Sequence, residues 1–165
     1  MKIVRLPSIL VILGLFLPPL ATVSARDLSE AYEAYFSGEY EEAFQVFRLH
    51  AEKGDASSQI QVGMMHRYGL GVPQDNSEAM RWYRLAAEQE ATENAAEAKF
   101  RIGAMYDQGK GVPQDYVLAH KWMNLAAAQG RYNATEYRKL LESDMTSSQI
   151  AEAQKLAREW LAKRD

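Results

Sequence analysis

A chain of 165 residues with 19 basic and 22 acidic side chains, and with no basic block, offers no footprint for nucleic acid. The lack of cysteine excludes disulfides, thiolate zinc sites and thiol nucleophiles. At 47% apolar residues, the chain can bury a core without covalent help.

The first 25 residues read as a secretory signal peptide. Lys2 and Arg5 give a positive start, and Ile9 to Leu17 is an apolar run that Pro18-Pro19 ends. Val23-Ser24-Ala25 then supplies a small-residue cleavage pattern. The alternative, an N-terminal membrane anchor, needs roughly 18 apolar residues, more than this run provides. Cleavage after Ala25 is expected, with no stable membrane insertion afterwards and a periplasmic or secreted destination. Without Lys2 and Arg5, 17 basic residues face 22 acidic ones, a net charge of −5.

Residues 26–55 form a first, degenerate unit. A helix over Leu28 to Ser37 carries Ala31, Tyr32, Ala34, Tyr35 and Phe36, and Ser37-Gly38-Glu39-Tyr40 is its turn. In the helix after that turn, Ala43, Phe47 and Ala51 sit 36 residues before Ala79, Tyr83 and Ala87.

Residues 56–91 form the next unit. Apolar and small residues at three- and four-residue spacing predict a helix over Ala56 to Tyr68. The turn Gly69-Leu70-Gly71-Val72-Pro73 needs positive φ at its glycines. Asp75 is the expected N-cap of a second helix over Asn76 to Gln89, with Glu78 completing a capping box. Residues 92–130 repeat this pattern 40 residues later: Gly63 recurs as Gly103, Gly71-Val72-Pro73 as Gly111-Val112-Pro113, Ala79 as Ala119, and Trp82 as Trp122. Four extra residues precede Gly103, predicting a longer helix or a bulged turn.

Residues 131–165 predict two capping helices, over Ala134 to Glu142 and from a capping box at Thr146 to about Lys163. Self-similarity at this period signals stacked units with atypical ends. The expected fold is all-α: an α/α solenoid, or superhelix, of antiparallel helix pairs, about three repeat units plus C-terminal capping helices. Gly63 and Gly103 mark close helix crossings, with Ala79 and Ala119 as the complementary small residues. Trp82 and Trp122 fill the space between units.

These motifs resemble the Sel-one-like repeat (SLR), a relative of the tetratricopeptide repeat. Residues 92–130 match it best, through Ala96, Ile102-Gly103, Tyr106, Gly109, Gly111-Val112-Pro113, Asp115, Ala119, Trp122, Ala126-Ala127 and Gly130. The unit at 56–91 departs at His66 and Glu90. Gly38, Tyr40 and Ala43 make the first unit more tetratricopeptide-like. The resemblance implies a concave groove lined by first helices, an adaptor or scaffold role at or beyond a bacterial inner membrane, and no catalytic residues.

No residue pattern points to chemistry. His50, His66 and His120 lack a second ligand at helical spacing; His66 reads as packing, and His50 and His120 as polar-face residues. Ser57-Ser58 and Ser147-Ser148 lie at helix starts, where hydroxyls cap. The Gly-x-Gly turns follow no strand and lack a third glycine, so they are not dinucleotide sites. No cofactor and no metal is expected.

The candidate partner-binding groove takes first-helix residues turned away from their own pair: Ile60, Gln61, Met64 and Arg67, then Phe100, Arg101, Ala104 and Asp107. Packing against the next unit is the competing reading for Ile60 and Phe100. The expected partner is a protein, as a helix or peptide segment, with a second copy of the chain as another option. Specificity would lie where the units differ, as at Ile60 against Phe100 and Arg67 against Asp107. The sequence leaves two alternatives to the adaptor: a cell-envelope enzyme acting on cell-wall glycan, and a secreted effector.

Overall fold

The computed structural model describes residues 27–89 and 92–163. The expected signal segment lies outside them. The described residues form helices α1 (Leu28–Ser37), α2 (Tyr40–Glu52), α3 (Ala56–Tyr68), α4 (Asn76–Ala87), α5 (Glu93–Gln108), α6 (Tyr116–Ala128), α7 (Ala134–Glu142) and α8 (Ser147–Ala162). No helix among them is long and apolar enough to cross a membrane.

The helix starts follow from short polar side chains that satisfy free backbone N–H groups. Asp27, Asp55, Asp75, Thr92, Asp115 and Thr146 each accept such bonds. The box at Thr146 is complete: Thr146 N donates to Gln149 Oε1 at 2.8 Å, and Gln149 N donates back to Thr146 Oγ1 at 3.3 Å. The expected box at Asp75 is one-sided, because the Glu78 carboxylate turns away to Arg81 at 2.9 Å. Nor do Ser57 and Ser58 cap. Asp55 takes that role, the Ser57 hydroxyl meets the Tyr32 hydroxyl at 2.9 Å, and Ser58 is fully buried.

Two other expectations change in detail. The longer first helix of the second copy is real: α5 has 16 residues against 13 in α3, with Thr92 capping the added turn. α4 ends at Ala87 rather than Gln89. Gln89 instead reaches back, donating to Gly54 O at 2.8 Å and to Gln59 Oε1 at 3.0 Å.

The pairs α1–α2, α3–α4 and α5–α6 pack within each unit, and each second helix packs on the next first helix. Burial of apolar surface, at about 25 cal/mol per Å2, drives this stacking. Three clusters result. Phe47, Val62, Met65 and Trp82 join the first two units, and Ile60, Tyr83, Ile102 and Trp122 join the middle ones. Ala104, Met123, Leu141 and Ala153 join the last unit to the cap. Trp82 and Trp122 therefore fill space between units as expected.

The helix glycines face large partners. A Cβ on Gly63 would lie 2.6 Å from the Tyr83 ring, and one on Gly103 would lie 2.9 Å from Met123 Cε. The expected Ala119 is there too, its carbonyl oxygen 3.1 Å from a Cβ on Gly103. Residues 83 and 123 are themselves repeat partners, so a large side chain laid over a glycine is the repeated device.

Gly71 and Gly111 have φ of 69° and 72°, in the left-handed region. Contact constrains them as well. A Cβ on Gly71 would lie 2.4 Å from the Tyr40 carbonyl carbon, and one on Gly111 would lie 2.5 Å from the Asn76 carbonyl oxygen. Each glycine turn thus sits on the start of the preceding unit's second helix.

The same register carries through the junctions between units. Phe44 of α2 meets His66 of α3 edge-on at 5.4 Å. Met80 of α4 and Tyr106 of α5 share the middle cluster. His120 of α6 meets Glu142 of α7, with Nε2 2.9 Å from Oε1. Each pair repeats the one before it at offsets of 36 and 40 residues, so α7 takes the place of a further first helix. α8 departs from the pattern: it packs on α6 and barely touches α7. Its Trp160 ring lies 5.7 Å from that of Trp122.

This register corrects the reading of His120 as a polar-face residue, for its side chain is fully buried. His66 packs as expected. Burial holds its imidazole below the usual histidine range, opposed by Glu78 and Asp75.

Candidate functional site

The eight candidate residues lie on α3 and α5, which touch each other directly. Their side chains do not form one continuous open floor. Ile60 is 6% exposed and Ala104 is 8% exposed, and each belongs to an apolar cluster. Met64 packs against the middle cluster and Phe100 against the last one. Gln61, Met64, Arg67, Phe100, Arg101 and Asp107 are half-buried and keep some surface.

Polar bridges tie this face across helices. Tyr32 of α1 meets Ser57 and accepts from Gln61 Nε2 at 3.5 Å. Arg67 Nη2 donates to Gln108 Oε1 at 2.7 Å, and its guanidinium lies 5.5 Å from the Tyr68 ring centre. Tyr137 of α7 donates its hydroxyl to Asp107 Oδ2 at 2.5 Å. The row thus runs from α1 through α3 and α5 to α7.

Around Phe100 the bridges gather. Arg101 and Arg131 both pair with Glu97. The Arg131 guanidinium lies 5.0 Å from the Phe100 ring centre, and the Tyr137 ring meets Phe100 edge-on at 5.7 Å. Burial, reinforced by Asp107, pushes the Tyr137 hydroxyl up to about 12. Tyr83, beneath Gly63, is also pushed up to about 12, chiefly by burial. Such a face offers guanidinium, amide and aromatic groups at fixed positions. That chemistry suits recognition of a protein segment.

Three polar groups inside the fold escaped the sequence reading. Lys99 is 1% exposed; its ammonium donates to Gln129 Oε1 at 2.5 Å and lies 4.9 Å from the Trp160 ring centre. Gln59, also buried, bonds to Gln89 one unit earlier with the roles exchanged, its Oε1 accepting from Gln89 Nε2 at 3.0 Å. The signal was present: 59 and 89 recur as 99 and 129, 40 residues on. The third is the His120–Glu142 pair, whose partners are 22 residues apart on different helices. Helical spacing within one element could not reveal it.

The Sel1 repeat family model matches residues 56–90 and 96–130. Among curated proteins, an exopolysaccharide production negative regulator of Rhizobium leguminosarum bv. viciae is 40% identical over 58 residues, 35% of this chain and 22% of that protein. The ERAD-associated E3 ubiquitin-protein ligase component HRD3A of Arabidopsis thaliana is 34% identical over 53 residues, 32% of this chain and 8% of that protein. The chain thus matches less than a quarter of the length of these relatives.

Among solved structures, a protective antigen of uropathogenic Escherichia coli with an SLR fold superposes with a TM-score of 0.74 at 28% identity. The match covers 87% of this chain and 32% of that one. A Sel1 repeat protein from Oxalobacter formigenes gives 0.58 at 26% identity, covering 76% and 52%. The two matched repeats, the helix pairs and these neighbours agree: the chain belongs to the Sel1-like repeat family.

Proposed function

We propose that the chain is an exported, non-catalytic adaptor that binds a protein segment on the face formed by α1, α3, α5 and α7. The observation that carries this reading is the set of bridges Tyr32–Gln61, Arg67–Gln108 and Asp107–Tyr137. They hold half-exposed polar side chains in fixed geometry, and pre-ordering of this kind lowers the entropic cost of binding. The architectural glycines and tryptophans are occupied in packing and leave this face to recognition. The His120 imidazole has no exposed surface to present to a substrate, which supports binding over acid–base chemistry.

Export rests on the signal pattern of residues 1–25, with the periplasm or the exterior as destination. The rhizobial relatives are named for regulating exopolysaccharide production. A regulatory protein of the cell envelope is therefore the class of partner we assign to this face.

The test is site-specific photocrosslinking in cells. A crosslinker at Gln61 should yield a covalent adduct with one envelope protein, and one at the exposed Gln154 of α8 should not. Equal adducts at both positions, or recovery of glycan instead of protein, would overturn the reading. Mass measurement of the exported N-terminus should give Arg26.

A further inference from the structure

A second feature lies on elements that carry none of those eight residues. A cavity of about 350 Å3 opens between α4 and the Gly111-Val112 turn of the next unit. Met80 and Val112 provide an apolar floor, and Leu85, 38% exposed, forms an apolar wall. Arg81 and Arg84 stand at its edge with Ser77 and Glu88.

Both guanidiniums are held in place. Arg81 stacks 4.4 Å from the Trp82 ring centre while pairing with Glu78. Arg84 Nη2 donates to the Tyr106 hydroxyl at 3.0 Å, a neutral partner across the junction. More positive charge lies close by. Burial, then the Lys163 and Arg84 cations, hold the Lys121 ammonium below the usual lysine range, with Glu159 opposing. Four cations, Arg81, Arg84, Lys121 and Lys163, thus gather on this side of an acidic chain. Glu78, Glu88 and Glu159 are the carboxylates beside them, and Glu78 is taken by Arg81.

The first junction carries a different set of side chains at the equivalent place. With the 36-residue offset, Met80 corresponds to Phe44, Arg81 to Gln45, Arg84 to Arg48 and Leu85 to Leu49. The Phe44 ring packs edge-on against His66, and Arg48 pairs with Glu52 of its own helix. The middle junction has a slimmer thioether, one more arginine, and an arginine whose partner is uncharged.

We propose that this cavity is a docking site for an acidic segment of a partner protein, one that alternates carboxylate and apolar side chains. Arg84 and Arg81 take the carboxylates, and Met80, Leu85 and Val112 take an apolar side chain between them. Charge-assisted hydrogen bonds to guanidinium give such a site its selectivity.

The probe is the capped tetrapeptide acetyl-Asp-Leu-Glu-Leu-amide, titrated into isotope-labelled protein to millimolar concentration and followed by NMR. The amides of Leu85 and Val112 and the Arg84 side-chain N–H should shift together. The lysine analogue acetyl-Lys-Leu-Lys-Leu-amide should leave them in place. Met80→Phe, which copies the first junction, and Arg81→Glu should each weaken binding about tenfold or more. Lys139→Glu, exposed on α7, should not change it. The melting temperature of each variant separates loss of binding from loss of fold. Absence of shifts, equal shifts with the lysine peptide, or full affinity in a folded Met80→Phe protein would overturn the proposal.

Discussion

His120 and Glu142 meet at 2.9 Å where the imidazole has no exposed surface, and the pair pins α7 to α6. The other ring nitrogen, Nδ1, is buried without a partner among the described residues. Arg138 of α7 adds a second polar contact to this junction: its Nη1 donates to Asn124 Oδ1 of α6 at 2.8 Å, and its Nε lies 3.6 Å from the Glu142 carboxylate.

Replacing Glu142 by Leu should cost about 1–3 kcal/mol, because it strands a buried polar ring. Pairing that change with His120→Phe should recover most of the loss, since two apolar partners need no hydrogen bond. Urea unfolding of the four proteins closes a double-mutant cycle. A double variant no more stable than the single one would show that the contact is not the issue.

Gly71 and Gly111 should tolerate alanine far less well than Gly38 and Gly54. All four have positive φ, which costs an L-residue about 1–2 kcal/mol. Nothing lies within 4 Å of a Cβ on Gly38 or Gly54, whereas Gly71 and Gly111 abut the backbone of the preceding unit. Alanine at Gly71 should therefore cost more than that strain alone, by separating α2 from the turn. Thermal denaturation of Gly38→Ala and Gly71→Ala gives the comparison.

The two helix glycines should also differ from each other. A methyl at Gly63 meets a fully buried aromatic ring, while one at Gly103 meets the flexible end of Met123. Overpacking costs about 1–3 kcal/mol. Gly63→Ala should fall at the upper end and Gly103→Ala at the lower, measured by denaturant midpoint at unchanged slope.

Two groups predict opposite pH limits. Burial lowers His66, so the folded state favours its neutral form. That contribution is present above the ordinary histidine value of 6.5 and is lost as pH falls through the lower folded value. His66→Tyr, which copies Tyr106, should flatten the acid limb of the stability curve. Burial raises Tyr83 from 10.0 to about 12, so its contribution is full below 10 and is lost as pH rises toward 12. Its hydroxyl has no hydrogen-bond partner among the described residues. Tyr83→Phe should therefore be near neutral at pH 7 and reduce the alkaline slope.

The helices were legible because capping residues and apolar spacing are local signals. α1, α3 and α7 run between the residues that their spacing predicts. The solenoid was legible because its glycines, prolines and tryptophans recur at a fixed interval. What lay beyond the sequence was the partner of each side chain across a junction. Gly63 meets the Tyr83 ring, and Asp107 found Tyr137 on a capping helix. The expected face fared similarly. Half-exposed Gln61 and Arg67 stand where the helical period puts them, while Ile60 and Ala104 turned inward because neighbouring first helices close over them. Pairings between helices depend on crossing geometry, which no single-helix period encodes.

The junction pairs also fix the sequence of the units. Suppose residues 56–90 and 96–130 were exchanged. Both glycines of each Gly-x-Gly turn, and Trp82 and Trp122, would fall in equivalent places. The pairs, however, would become Phe44 with Tyr106, His120 with His66, and Met80 with Glu142. Two imidazoles would face each other, and the Glu142 carboxylate would face a thioether in place of its imidazole. A shuffled chain would keep the scaffold and lose its fit, so the order of the repeats is written in the side chains between them.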